Sequence, residues 1–197
     1  MSLKMDDLEE LLKRIGQSVT AAYAHYEMWF TLRGEGKALV DHYSEMNDHR
    51  YVDFFHAVNS GSYKLIFIEL GCLFDTDDRS ASIRNLKVKL AKLGRSDLVQ
   101  RIDQRLEGYG GLVSNILTIR SKLMAHKEVG ASSEAVHKKY GVVPNDIKAL
   151  IEECCGTINE VREQATGSNQ PAHCATTTGR FEDATFGLLN VLRNGRS

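Results

Sequence analysis

Only two prolines, Pro144 and Pro171, interrupt the 197 residues of this chain, so nothing before Pro144 forbids long runs of helix. Into that space fall apolar residues at three- and four-residue steps. Leu8, Leu11, Leu12, Ile15, Val19, Ala22, Tyr23, Tyr26 and Phe30 line one stripe of a helix of period 3.6, whereas a strand would need strict alternation. The pattern predicts a first helix that stops before the "RGEG" of residues 33–36, and an all-α chain with no strand pattern or internal repeat.

The same reading carries down the chain. A second long helix is expected from Asp48 to Phe74, with "NSGS" at 59–62 as a kink point, followed by the turn "DTDDRS". Ser80 or Ser82 can cap a shorter helix whose stripe is Ile83, Leu86, Leu90 and Leu93 and whose stop is Gly94. Ser96 or Asp97 opens a helical region, bent at "YGG" 109–111, that reaches Glu128 and ends at Gly130. A short helical piece around "SEAVHKKY" follows, then a helix starting at Asn145 or Asp146 and running through "IKALIEECCGTINEVREQ". The polar stretch 166–179 reads as a flexible loop before a last helix, "RFEDATFGLLNVLRN".

Length and charge bound the rest. A chain of this size suits a single domain over residues 1–197 with a real core. Its 25 Lys and Arg against 26 Asp and Glu give no global attraction to nucleic acid. The longest apolar run, "LIFI" at 65–68, is too short to span a bilayer. The acidic, periodic amino terminus is unlike a secretory signal, which points to the cytoplasm. Cys72, Cys154, Cys155 and Cys174 show no CxxC spacing, and all four are expected as free thiols.

One stretch, "TIRSKLMAHKE" at 118–128, carries polar chemistry on a helix that otherwise reads as core. Arg120 falls on the stripe of Val113, Ile116, Leu117, Leu123 and Met124, so it needs a carboxylate, backbone carbonyls or a bound anion as partner. His126 lies near the expected helix end, where the macrodipole favours the protonated imidazole. On an ideal α-helix the two are about 9 Å apart along the axis and about 120° apart around it. They do not share a face, so they cannot converge on one substrate atom within a single straight helix.

Arg120 and His126 form an R-x5-H motif in an all-α chain, and with "IELGCLFDTDDRSASI" at 68–83 the pattern resembles the abortive-infection U branch of the HEPN superfamily. The resemblance implies an up-and-down bundle of about four or five long helices. It further implies a homodimer in which motif helices meet, an abortive-infection or toxin–antitoxin setting with an antitoxin protein as partner, and RNA cleavage without metal or cofactor. His126 would serve as general base or acid for attack of a ribose 2′-hydroxyl on phosphorus, and Arg120 would stabilise the phosphorane. Ser121, Lys122 and Lys127 would contact substrate phosphates. Ser121 stands where members of the superfamily often carry Asn, Asp or His, so a non-cleaving member that binds nucleotide, RNA or a protein partner is the alternative.

Two further features compete. Arg84, Lys87, Lys89, Lys92 and Arg95 form a basic face that suits an RNA backbone. His42, Glu45, His49, Asp53 and His56 would make one metal-ligating stripe if residues 42–56 were continuous helix.

Overall fold

The structure, a computed structural model, describes residues 2–33, 37–125, 141–168, 170 and 179–195. Among these the chain is all-α. Helix α1 covers Ser2–Leu32, α2 Lys37–Asp41, α3 Tyr43–Met46, α4 Val52–Leu73, α5 Ile83–Lys92, α6 Ser96–Leu106 and α7 Gly110–Ile119. Helices α8 and α9 cover Pro144–Thr166 and Arg180–Asn194. A 3₁₀ turn at Glu107–Tyr109 joins α6 to α7, and α7 runs on into a π-helical turn, Arg120–Ala125.

Helix α1 is the axis of a helical bundle. Its expected stripe, Leu8, Leu12, Ile15, Val19, Ala22, Tyr23 and Tyr26, is buried in the main core. Against it pack Ile66, Phe67, Leu70 and Leu73 of α4, and Ile147, Leu150, Ile151, Cys154, Ile158 and Val161 of α8. Trp29 of α1 meets Tyr63 of α4 with ring centroids 5.3 Å apart, while Ser18 and Cys72 line one groove further along, so α1 and α4 run antiparallel. A smaller cluster, Leu32, Ala38, Met46, Phe55 and Leu189, seats α9 on the far end of the bundle.

Local chemistry sets several helix ends. Ser82 caps α5 by accepting the Asn85 N–H at 3.4 Å, and Gly94 takes the left-handed φ of 76° beyond it. Helix α8 begins at Pro144 itself, one residue before the expected start, because extended Val143 serves as N-cap and proline's missing N–H costs nothing at the first position. Helix α4 starts at Val52 and not at Asp48, whose carboxylate accepts the Arg50 N–H at 2.9 Å and folds 48–51 into a turn. It then continues without interruption through "NSGS".

The region from Ser96 is helical as expected through residue 125, with a 3₁₀ turn at Glu107–Tyr109 beside the expected bend and an unexpected π turn at its end; Glu128 and Gly130 lie outside the described residues. Other expectations change. Cys155 is disulfide-bonded, which corrects the reading of four free thiols; Cys72 and Cys154 are free. The neighbours differ because they point about 100° apart on α8, Cys154 into the core and Cys155 to its edge. The piece around "SEAVHKKY" and residues 171–178 lie outside the described residues.

Candidate functional site

Arg120 is the first residue of the π turn that closes α7. Ahead of it Ile116 and Ile119 are fully buried, so the core-facing stripe is rotated from the expected one and Arg120 stands at its edge. Its side chain crosses to α4 and lies directly over Gly71. A Cβ at residue 71 would be 2.9 Å from both Nε and Nη1 of Arg120, and closer still to Cδ. Only a residue without a side chain leaves room for this crossing.

Nη1 then reaches Asp75 Oδ2 at 3.8 Å, with 35% of the arginine side chain and 31% of the aspartate still exposed. At that distance the pair is an electrostatic tether and not a bidentate hydrogen-bonded bridge. Arg105 offers the contrast. It gives Nε to Glu153 at 2.5 Å and Nη1 to Glu160 at 2.6 Å, over a similar bare seat at Gly156, and its guanidinium is consumed in joining α6 to α8. Those hydrogen bonds, Arg105 first, hold the Glu160 carboxyl below its ordinary value.

Around Arg120 the stretch 69–75 supplies titratable groups. Burial raises the Cys72 thiol above its usual value; the Arg120 charge opposes this, and Glu69 and Asp75 reinforce it. Cys72 is therefore held as a thiol and not as a reactive thiolate. One turn back, His25 of α1 has a buried Nδ1 with no hydrogen-bond partner among the described residues. Its imidazole is lowered by burial, an effect that the Glu69 carboxylate only partly offsets.

A groove of about 510 Å³ runs between α1 and the end of α4, with Ser18 and Ala21 on one wall, Glu69, Cys72 and Asp75 on the other, and Ala81 at its end. Asp75 and Cys72 belong both to this groove and to the surroundings of Arg120. None of these side chains except Arg120 was singled out from sequence. Gly71, Cys72 and Asp75 do fall within the "IELGCLFDTDDRSASI" stretch that carried the resemblance, and the fold brings that stretch against the motif arginine.

Of the other expected site residues, Ser121 is exposed and Lys122 half-buried on the π turn, whereas His126 and Lys127 lie outside the described residues. The turn alters the premise of the 120° separation. An i→i+5 winding is wider than an α-helix, so ideal α-helical rotation does not carry from Arg120 to the residues beyond it.

The two competing features weaken. Residues 42–56 are not continuous helix, and the expected metal stripe is broken by the turn at 47–51. His42 and Glu45 stay together, buried 3.6 Å apart beneath Arg193, while His49 is 90% exposed. Among the described residues no group of three or more His, Cys, Asp or Glu is placed to share a metal ion. The basic face of α5 is largely matched by acids: Arg84 with Asp78, Lys87 with Asp103 at 2.5 Å, Lys89 with Asp7 at 2.9 Å and Arg95 with Asp97. Little uncompensated charge remains there for a phosphate backbone.

Residues 5–181 match the family described as AbiU2, of the HEPN group. The match spans both the motif arginine and the α4 stretch that seats it. The chain belongs to the HEPN AbiU2 family. No curated protein and no solved structure matches it. The AbiU2 assignment agrees with the all-α bundle, and no described helix is long and apolar enough to cross a membrane.

Proposed function

We propose that this AbiU2-family protein is a metal-independent endoribonuclease acting in an abortive-infection or toxin–antitoxin setting. The observation that carries the reading is the seat of Arg120, fixed over Gly71 and tethered to Asp75 at 3.8 Å while a third of its side chain stays open. A guanidinium positioned but not consumed suits binding of a phosphorane oxyanion. In the proposed reaction a ribose 2′-oxygen attacks the adjacent phosphorus and passes its proton to His126. The P–O5′ bond breaks, the 5′-oxygen takes up a proton, and a 2′,3′-cyclic phosphate remains. Ser121, Lys122 and Lys127 hold neighbouring phosphates.

The proposal includes a homodimer, supported by the outer face of α4. Phe54, Gly61, Leu65, Ile68 and Cys72 recur there in steps of seven, four, three and four, the spacing of a two-helix seam. Phe54 is 54% and Leu65 36% exposed, and the space outside Gly61 is open. The stripe ends at Cys72, beside Arg120, so a second copy seated on it borders the site.

The experiment is cleavage of RNA by purified protein in excess EDTA. Cyclic phosphate ends, and loss of cutting in both Arg120→Ala and His126→Ala, are the expected results. The second reading, a non-cleaving member that binds nucleotide, RNA or an antitoxin protein, is favoured by Ser121 in the position after the arginine. It gains if RNA binds and no cleavage exceeds that of the Arg120→Ala variant.

A further inference from the structure

We infer that the groove between α1 and α4 is a base-binding subsite that selects guanine for the nucleotide whose phosphate Arg120 holds. The inference rests on the ribonuclease reading for the phosphate, but the groove is argued from its own chemistry. It starts where the guanidinium ends, because Asp75 both lines it and tethers Arg120 at 3.8 Å. A nucleotide with its phosphate on Arg120 thus projects its base along Cys72 toward Glu69. Ala21, Cys72 and Ala81 give that base a narrow apolar bed between the polar walls.

The polar walls decide which base fits. Asp75 is already engaged, with Oδ1 accepting the Asp77 N–H at 2.9 Å and Oδ2 facing Arg120. Glu69 is half-buried, and no hydrogen bond or ion pair engages it among the described residues. An ionised carboxylate only accepts, and it presents two oxygens side by side. Guanine alone among the four bases offers two adjacent N–H donors, at N1 and N2, with no acceptor between them. Adenine and cytosine set a ring-nitrogen acceptor beside the amino group, and uracil flanks its single N–H with carbonyls, so each turns an acceptor toward the second carboxylate oxygen. The Ser18 hydroxyl on the opposite wall donates or accepts and fits the remaining edge.

The test is equilibrium binding of the four nucleoside 3′-monophosphates and of unphosphorylated guanosine to the full-length protein, measured by calorimetry. Guanosine 3′-monophosphate should bind about 10-fold more tightly than the other three, the size of one bidentate base contact. Glu69→Gln should remove that preference, and Arg120→Ala should reduce guanosine 3′-monophosphate to the affinity of guanosine. Ser18→Trp, which fills the groove away from Arg120, should abolish guanosine binding. Ala81→Leu serves the same purpose if the tryptophan variant does not fold. Equal binding of all four nucleotides, or guanosine binding that survives a folded groove-filling variant, overturns the subsite. Guanine-selective binding without RNA cleavage leaves the subsite standing and sinks the nuclease, whereas cleavage without base preference does the reverse.

Discussion

Arg120 lies across Gly71, and the approach is so close that no Cβ fits between them. In the interior of a helix, glycine to alanine is ordinarily stabilising by roughly 0.5–1 kcal/mol, because glycine loses more backbone freedom on folding. At Gly71 that gain should be offset. The added methyl displaces the guanidinium from Asp75, so Gly71→Ala is expected to raise the melting temperature less than such a change ordinarily does and to cut RNA cleavage by about 100-fold, as misplacement of a charge-stabilising group by about 1 Å does. In an Arg120→Ala background the contact with the arginine is gone, and the same substitution should show the full ordinary gain. A double-mutant cycle on thermal stability reads this directly, and additive effects of the two substitutions would show that the seat is not coupled to the arginine.

The exposed stripe of α4 yields a prediction about assembly. A carboxylate placed in an apolar seam costs several kcal/mol if the seam is buried and almost nothing if it stays wet. Leu65→Glu and Ile68→Glu are therefore expected to convert a species of twice 22.0 kDa into one of 22.0 kDa in light scattering, with little change in helix content. Lys64→Glu, one residue before the seam residue Leu65, should leave the mass unchanged. A monomeric wild-type protein at micromolar concentration would refute the seam.

What could be read in advance follows from the range of each interaction. The α1 stripe was legible because its apolar period persists through a helix of 31 residues and all its members but the exposed terminal Phe30 pack inward. The cap at Ser82 and the stop at Gly94 were legible because caps are local chemistry. Arg120 stood out as a charge beside core residues, yet Gly71 and Asp75 gave no signal of their own, since their roles arise only when α7 packs on α4. The π turn was also silent: an i→i+5 winding has no residue signature comparable to a capping serine, and it alters which residues after 119 share a face. The basic face of α5 misled for the converse reason. Its cations are visible in one segment, while three of the acids that match them, Asp7, Asp97 and Asp103, come from α1 and α6.

His25 makes stability depend on pH in a definite window. Burial lowers its imidazole from the ordinary 6.5, with Glu69 opposing only in part. A base whose value is depressed in the folded state binds fewer protons than the unfolded chain below 6.5. Its full contribution is thus present above that pH and is lost as the pH falls through and below it. The melting temperature should decline between pH 7 and 5, ahead of the loss from carboxyls such as Asp77, Asp97 and Glu160, which are held below their ordinary values by arginine partners and protonate only in more acid solution. His25→Phe is expected to flatten the first decline and leave the second. If the variant and the wild type lose stability in parallel from pH 7 to 5, the buried imidazole is not the group responsible.

A buried carboxylate holds the start of the last helix. Glu27 of α1 accepts the N–H of Gly179 at 2.5 Å and of Phe181 at 3.3 Å, taking over the role of the side-chain cap that α9 lacks at Gly179. Free N–H groups and the positive end of the helix dipole meet a negative charge there, and the exposed fraction of Glu27 is only 9%. Glu27→Ala leaves those donors without an acceptor in a site that water barely reaches. The expected cost is about 1.5–3 kcal/mol, the range of a hydrogen bond to a charged group. Because Leu189 is the anchor of α9 in the smaller cluster, the loss should appear first as faster hydrogen exchange across 180–194 and only second as a lower global melting temperature. Glu27→Gln keeps one acceptor and should recover part of the protection. Unchanged exchange in Glu27→Ala would mean that the packing of Phe186, Leu189 and Leu192 and the contacts of Arg193 hold the helix without it.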